Sequence, residues 1–149
     1  MNNTAAIADR VSEMEAGSAY ALLEADRAAV LVDVRTAAEW AYVGVPDLAA
    51  IGKEVVFVDW QTFPSMHRNV DFVASVSKIL AERGVSRDAP ILFICRSGAR
   101  SLAAAQALSE VGYTRCVNVA GGFEGPADAS RQRGRLDGWK AKSLPWIQS

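Results

Sequence analysis

The chain has 149 residues, of which 50% are hydrophobic and 22% are charged, and its formal net charge at pH 7 is −1. This length suits one domain with a core large enough to fold without disulfides or metal ions. The near-zero charge excludes the overall basic surface that binds nucleic acid or anionic membranes. The N-terminus has no basic segment followed by an apolar one, and no apolar run could span a bilayer. We therefore expect one domain over residues 1–149, with residues 1–14 as a loosely ordered arm.

Short apolar runs alternate with helix-like segments along the chain, a pattern typical of a parallel sheet covered by helices on both faces. Four runs are rich in Val and Ile and apolar at successive positions, as in strands buried on both sides; they are residues 29–34, 55–58, 91–95 and 116–119. Helices are predicted at 18–27, 70–83 and 101–111, and Gly84 and Gly112 supply stops for the last two. The sequence thus predicts an α/β fold of three layers with a mostly parallel central sheet.

Polar residues follow the strand at 29–34 directly. Thr36 with Glu39 three residues later is a capping box, which predicts a helix start at this point. Because the carboxyl ends of parallel strands open on the same edge of a sheet, Asp33 and Arg35 can brace the wall of a site at Cys95. For these two residues a structural ion pair or helix cap is favoured over a direct catalytic role.

The chain has two cysteines, Cys95 and Cys116, and one histidine, His67. Two cysteines are too few for the disulfide framework of a small secreted domain, and no Cys or His pair has the spacing of metal ligands. We expect reduced thiols in the cytoplasm, with no metal and no cofactor. Cys116 is interpreted as a small buried hydrophobe in a strand.

The segment that begins at residue 91 carries the strongest functional signal. Four apolar residues, 91–94, lead to Cys95 at the carboxyl end of a buried strand, where open α/β sheets bind ligands. The backbone amides of residues 96–100 can surround the sulfur, and the positive end of the following helix lies behind it. These surroundings favour a nucleophilic thiolate. This interpretation requires the sulfur to be ionised and open to water.

The side chains of this turn suit a small anion. Arg96 and Arg100 supply cationic donors, and Ser97 and Ser101 either donate hydroxyls to the sulfur or cap the helix. Gly98 tolerates a positive φ and leaves the pocket free of a Cβ. The residues expected to bind substrate are Arg96, Ser97, Gly98, Ala99, Arg100 and Ser101.

Three motifs in this order resemble the rhodanese family of sulfurtransferases in its single-domain form: Asp33-Val-Arg35 with Glu39-Trp40, Cys95-Arg-Ser-Gly-Ala-Arg100, and Asn118-Val-Ala-Gly-Gly122. The thiosulfate-type loop of that family reads Cys-Arg-any-Gly-any-Arg or Thr, which this chain matches at every specified position. Mercaptopyruvate-type members carry Gly in place of Arg96 and a neutral residue in place of Arg100. The chain departs from many relatives at Val43-Gly-Val-Pro46, where they have Gly-His-Ile-Pro. The resemblance implies a rhodanese-like sheet of about five strands and a thiosulfate sulfurtransferase.

The implied chemistry uses Cys95 as the nucleophile. Its thiolate takes the outer sulfur of thiosulfate, or of a similar small anionic donor, and becomes a persulfide, while Arg96 and Arg100 hold the departing sulfite. Cyanide, a thiol or an acceptor protein then removes the sulfur. The expected partners are therefore a small sulfur donor and a thiophilic acceptor, with no nucleic acid and no membrane.

Two alternatives remain open. A cysteine-dependent phosphatase or arsenate reductase uses a related loop, but the resembling phosphatases have one more loop residue and commonly a His where this chain has Ile94. The other alternative is a regulatory module, or a persulfide carrier, that keeps the fold and docks a partner.

Overall fold

A computed structural model describes residues 11–149, and its centre is a parallel sheet of five strands. These strands are β1 (Ser12–Glu15), β2 (Val30–Asp33), β4 (Val56–Phe57), β7 (Pro90–Ile94) and β8 (Arg115–Ala120). Their order across the sheet is β1-β8-β7-β2-β4. Two small antiparallel pairs lie outside it, β3 (Val45–Pro46) with β9 (Trp146–Ile147) and β5 (Gln61–Thr62) with β6 (His67–Arg68).

Helices cover both faces of the sheet. They are α1 (Ala16–Ala25), α2 (Ala37–Tyr42), α3 (Phe72–Glu82), α4 (Ala99–Glu110) and α5 (Gly138–Ala141), with a 3₁₀ turn at Ala49–Ile51. Among residues 11–149 no helix is long and apolar enough to cross a membrane.

Alternate residues of the central strands pack into two separate cores. Val32 and Phe93 belong to the core beneath α3 and α4, whereas Leu31 and Leu92 belong to the core beneath α1 and the buried Trp139. Because both faces of these strands are covered, their residues are apolar at successive positions. The predicted three-layer α/β/α fold with a parallel sheet of about five strands is confirmed.

The N-terminal segment differs from its prediction. Residues 1–14 were expected to form a loose arm, but Ser12–Glu15 is an edge strand that pairs in parallel with β8. The sequence Ser-Glu-Met-Glu carries one apolar residue, so hydrophobic patterning does not reveal this strand. This segment is a strand because its backbone pairs in parallel with β8. Residues 1–10 lie outside the described part of the chain.

Candidate active site

The candidate site lies at the carboxyl edge of the sheet. β2 and β7 are paired in parallel with Asp33 opposite Ile94, so Cys95 directly follows the strand that neighbours Asp33. The chain then turns at Gly98, whose φ is +118°, and α4 begins at Ala99. The predicted convergence of these two strand ends is therefore present.

Within residues 11–149, the sulfur of Cys95 has two hydrogen-bond partners. The Gly98 amide donates to Sγ at 3.1 Å, and Ser101 Oγ lies 3.2 Å from Sγ, where either group can donate. We expected several loop amides to surround the sulfur. Among residues 11–149, Gly98 is instead the one backbone amide that donates to it.

Cys95 is more buried than expected. The residue is 1% exposed, although Arg96, Ser97 and Ala99 around it are exposed. The expectation of a sulfur open to water is therefore wrong, because Cys95 is packed within the core cluster beneath α3 and α4.

A second loop, residues 122–124, contacts the backbone of the cysteine turn. Phe123 N donates to Cys95 O at 2.8 Å, and Glu124 N donates to Arg96 O at 3.0 Å. Gly122 has a φ of +64°, and a Cβ built there would lie 2.5 Å from Cys95 O. Glycine is needed at this position because the two backbones are in direct contact.

Arg100 forms an ion pair with Glu39. Its guanidinium donates to both carboxylate oxygens, at 2.7 and 3.0 Å, and the two side chains are 18% and 19% exposed. Thr36 donates to the same carboxylate through its hydroxyl and amide, so the predicted capping box is confirmed. Burial opposes ionisation of Glu39, but the hydrogen bonds and charge of Arg100, together with Thr36, hold the pKa of this carboxyl below its ordinary value.

Asp33 and Arg35 form a fully buried ion pair, with Arg35 Nη2 2.7 Å from Asp33 Oδ2. The same Nη2 donates to Gly44 O at 2.8 Å, and the guanidinium lies 4.2 Å from the ring centroid of Phe123. The pair therefore ties the end of β2 to the loop that supports Cys95. This is a structural role in the wall of the site.

A cavity of about 520 Å³ adjoins the cysteine loop at Arg96 and Arg100. Its lining residues are Glu39, Val43, Gln61, Met66, Arg96, Arg100, Glu124 and Arg133. Of the six expected substrate residues only Arg96 and Arg100 line it, while Ser101 is buried against the sulfur. Ser97 and Ala99 are exposed and Gly98 is partly buried, and neither these three residues nor Cys95 line the cavity.

Sequence reasoning missed several groups at this site. Arg133 reaches the cavity from the glycine-rich segment before α5, where it donates to Gly125 O at 2.7 Å. The basic run at 131–135 was the available signal for it. Asn118 and Glu13 extend the hydrogen-bonded chain that begins at Cys95 and Ser101. Glu13 has no sequence signal, because its contact depends on the pairing of β1 with β8.

Cys116 is as buried as Cys95 but lies inside a strand, away from the cysteine loop. It lies in β8 inside the core, 1% exposed, and burial raises the pKa of its thiol to about 12. Its sulfur contacts only Tyr113 O, at 3.6 Å, among its possible hydrogen-bond partners in residues 11–149. Cys116 therefore serves as an internal control for the chemistry of Cys95.

The comparisons with known proteins agree with this geometry. Residues 15–129 match the sequence model of the family described as the rhodanese-like domain. Uncharacterized proteins of Rickettsia conorii and Rickettsia prowazekii are 39% and 38% identical over 128 residues, which is 86% of this chain and 90% of each relative. The crystal structure of Rv0390 from M. tuberculosis has a TM-score of 0.82 and 43% identity, covering 93% of this chain and 98% of that one. The polysulfide-sulfur transferase homodimer from Wolinella succinogenes has a TM-score of 0.59 at 20% identity, covering 99% and 85%, and shares the fold.

Proposed function

Because the chain belongs to the family of rhodanese-like domains, we propose that it is a sulfurtransferase that moves a sulfane sulfur through a persulfide on Cys95. The donor is thiosulfate or a similar small anion, and the acceptor is a thiol, cyanide or a protein. The observation that carries the proposal is the position of Cys95 at the sheet edge. Its sulfur accepts a hydrogen bond from the Gly98 amide, and Arg96 and Arg100 of the same loop line a cavity together with Arg133.

The reaction consists of two displacements at sulfur. The Cys95 thiolate attacks the outer sulfur of thiosulfate, a new S–S bond forms, and sulfite leaves with the electron pair of the broken S–S bond. The acceptor nucleophile then attacks the outer sulfur of the persulfide. The bond to Sγ breaks, and its electron pair regenerates the Cys95 thiolate. The Gly98 amide can donate to the anionic sulfur in both half-reactions.

Arginine side chains that line the cavity can bind the oxygens of the sulfur donor. Arg96 is exposed and has no hydrogen-bond partner for its side chain within residues 11–149, so its donors are available to a sulfonate. Arg100 has five N–H groups, and two of them donate to Glu39. Its remaining donors and its charge can act on the anion, while Glu39 fixes the position of its guanidinium.

Intact-protein mass spectrometry after incubation with thiosulfate tests the proposal. We expect one added sulfur atom in the wild type and in Cys116→Ser, and none in Cys95→Ser. Cys116→Ser is the matched control because both cysteines are 1% exposed. Absence of the added sulfur from the wild type, or its presence in Cys95→Ser, would overturn the proposal. Turnover of an aryl phosphate by the wild type would point to the phosphatase alternative.

The burial of Cys95 favours a second candidate, a persulfide carrier that releases sulfur only to a docked protein. Cyanide distinguishes the two functions. A sulfurtransferase with small acceptors forms thiocyanate repeatedly from thiosulfate and cyanide, whereas a carrier takes up one sulfur atom and retains it. In both cases the proposed location is the cytoplasm, because the persulfide cycle needs a reduced cysteine and both cysteines are free.

A further inference from the structure

We propose that the hairpin of β5 and β6, together with the arginines beside it, is a docking surface for an acceptor protein that presents acidic side chains around an apolar patch. This inference rests on the function proposed above, because it names the class of protein that receives the sulfur. The surface, the hairpin face, consists of Phe63, Met66, Arg68, Arg96 and Arg133.

The hairpin borders the cavity of the candidate site. Gln61 in β5 and Met66 in the turn line this cavity together with two arginines of the cysteine loop. Arg68 lies opposite Gln61 in the pairing of β5 with β6. A protein bound across the hairpin and the cavity therefore contacts the turn that carries Cys95.

The turn of the hairpin exposes two large apolar side chains, because Phe63 is 57% exposed and Met66 is 40% exposed. The start of the hairpin is fixed to the domain by Trp60. Its ring packs edge-on against Phe72 with centroids 5.1 Å apart, and its amide donates to Val34 O at 3.0 Å. Trp60 thus makes the contact with the core, and Phe63 and Met66 are left at the surface. Aromatic and Met side chains are enriched in protein interfaces.

Positive charge is concentrated around the same cavity, although the whole chain has a net charge of −1. Three segments that contribute to the cavity contain arginines and no Asp or Glu: residues 60–70, 95–102 and 129–136. Within residues 11–149, none of Arg68, Arg96 and Arg133 forms an ion pair. Carboxylates of a partner therefore complement the charge of this surface, and the apolar turn complements an apolar patch.

Two carboxylates in the cavity favour a protein over a nucleic acid as the occupant. Glu39 and Glu124 both line it, and Glu39 is already paired with Arg100. A phosphate backbone carries a negative charge at every nucleotide and is repelled by Glu124. A protein can place its carboxylates opposite the arginines alone.

The docked partner receives the sulfur by displacement. Its thiolate attacks the outer sulfur of the Cys95 persulfide, and a new S–S bond forms on the partner. The bond to Sγ breaks, and its electron pair regenerates the Cys95 thiolate. The step needs no further reactant.

Peptide binding tests the surface independently of sulfur chemistry. The probe is fluorescein-labelled Glu-Asp-Leu-Phe-Ser-Phe-Leu-Asp-Glu, and its neutral counterpart carries Gln for Glu and Asn for Asp. By fluorescence anisotropy we expect the acidic peptide to bind about tenfold more tightly than the neutral one at low salt, and this preference to shrink at about 0.5 M salt. Equal affinity for both peptides, or no binding of either, would overturn the inference.

Variants locate the binding site. Phe63→Ser should raise the Kd of the acidic peptide about tenfold and Arg68→Gln about threefold. The matched controls are Val111→Ser and Arg115→Gln, which alter exposed side chains at the amino edge of the sheet. Each control should leave Kd within about twofold of the wild type. Effects of equal size in test and control variants would contradict the proposed surface.

Two other occupants give different results. Tighter binding of a single-stranded RNA with the same net charge than of the acidic peptide would assign the surface to nucleic acid. A wild type that is dimeric in analytical ultracentrifugation, and that Phe63→Ser converts to a monomer, would assign it to a second copy of this chain. Either result would overturn the inference.

Sulfur transfer separates this inference from the proposed function. The same two peptides with Cys in place of Ser are mixed with the thiosulfate-treated protein, and loss of sulfur from the protein is followed by mass spectrometry. If the acidic Ser peptide binds as expected but thiosulfate adds no sulfur, the docking surface stands and the proposed function fails. If the protein takes up sulfur but releases it equally fast to the acidic and neutral Cys peptides, the function stands and the inference fails.

Discussion

The ion pair between Arg100 and Glu39 gives a quantitative test of the site. It joins α2 to α4 across the cysteine loop, with N–O distances of 2.7 and 3.0 Å. The perturbation is the pair of neutral variants Glu39→Gln and Arg100→Gln, studied singly and together. The double-mutant cycle isolates the interaction between the two side chains from their other contacts.

The expected magnitude follows from burial. An exposed ion pair contributes about 0.2–1 kcal/mol, whereas loss of one partner from a fully buried pair costs about 3–5 kcal/mol. With side chains 18% and 19% exposed, the pair lies between these limits. We expect each single substitution to lower the free energy of unfolding by about 2 kcal/mol, with a coupling of about 1–2 kcal/mol. For a domain of this size, 2 kcal/mol lowers Tm by about 4–8 °C.

Urea denaturation of the four proteins at pH 7 and moderate salt measures the cycle. Glu82→Gln is the control, because Glu82 is an exposed carboxylate at the end of α3 without an ion pair among the described residues. Its stability should be within about 0.5 kcal/mol of the wild type. A coupling below about 0.5 kcal/mol would refute the reasoning. Arg100 would then be available to bind the donor with all its N–H groups, the role that the sequence analysis expects for it.

Other predictions test single features of the site. The pKa of Glu39 is lowered in the folded state. Its ionised carboxylate therefore stabilises the fold fully above the unfolded pKa of about 4.3, and this stabilisation is lost as pH falls through the folded value. The difference in unfolding free energy between wild type and Glu39→Gln should thus disappear in urea titrations at acid pH. With a pKa of about 12, Cys116 has a thiolate fraction of roughly 3 × 10⁻⁵ at pH 7.5, so peptide mapping should find it alkylated only after unfolding, and labelling in the native state would contradict its burial. Arg96→Ala should raise KM for thiosulfate with Tm unchanged, and an unaltered KM would remove this exposed side chain from the donor site. Gly122→Ala should destabilise the protein by about 2–4 kcal/mol, since its Cβ would clash with Cys95 O; wild-type stability in a thermal melt would contradict the close contact.

The expectations for substrate residues illustrate where local reasoning stops. The spacing of Cys95, Gly98 and Ser101 places them at one strand-to-helix turn, so their proximity follows from short chain connections. Arg100 and Glu39 are 61 residues apart, and the ion pair between them depends on how α2 and α4 meet. A motif shows that Arg100 is present at the site, but it does not show which group its guanidinium binds.

By itself, the sequence determined the strands of the central sheet other than β1, the layers, the capping box at Thr36 and the position of Cys95 at the end of a buried strand. These features follow from local patterns, because burial on both faces makes a strand apolar at successive positions and caps act within one helical turn. Tertiary structure decided the edge strand β1, the burial of Cys95, the engagement of Arg100 and the contact of Asn118 with Glu13, 105 residues apart. Each of these depends on which elements become neighbours in space, and that pairing is set by the packing of the whole domain.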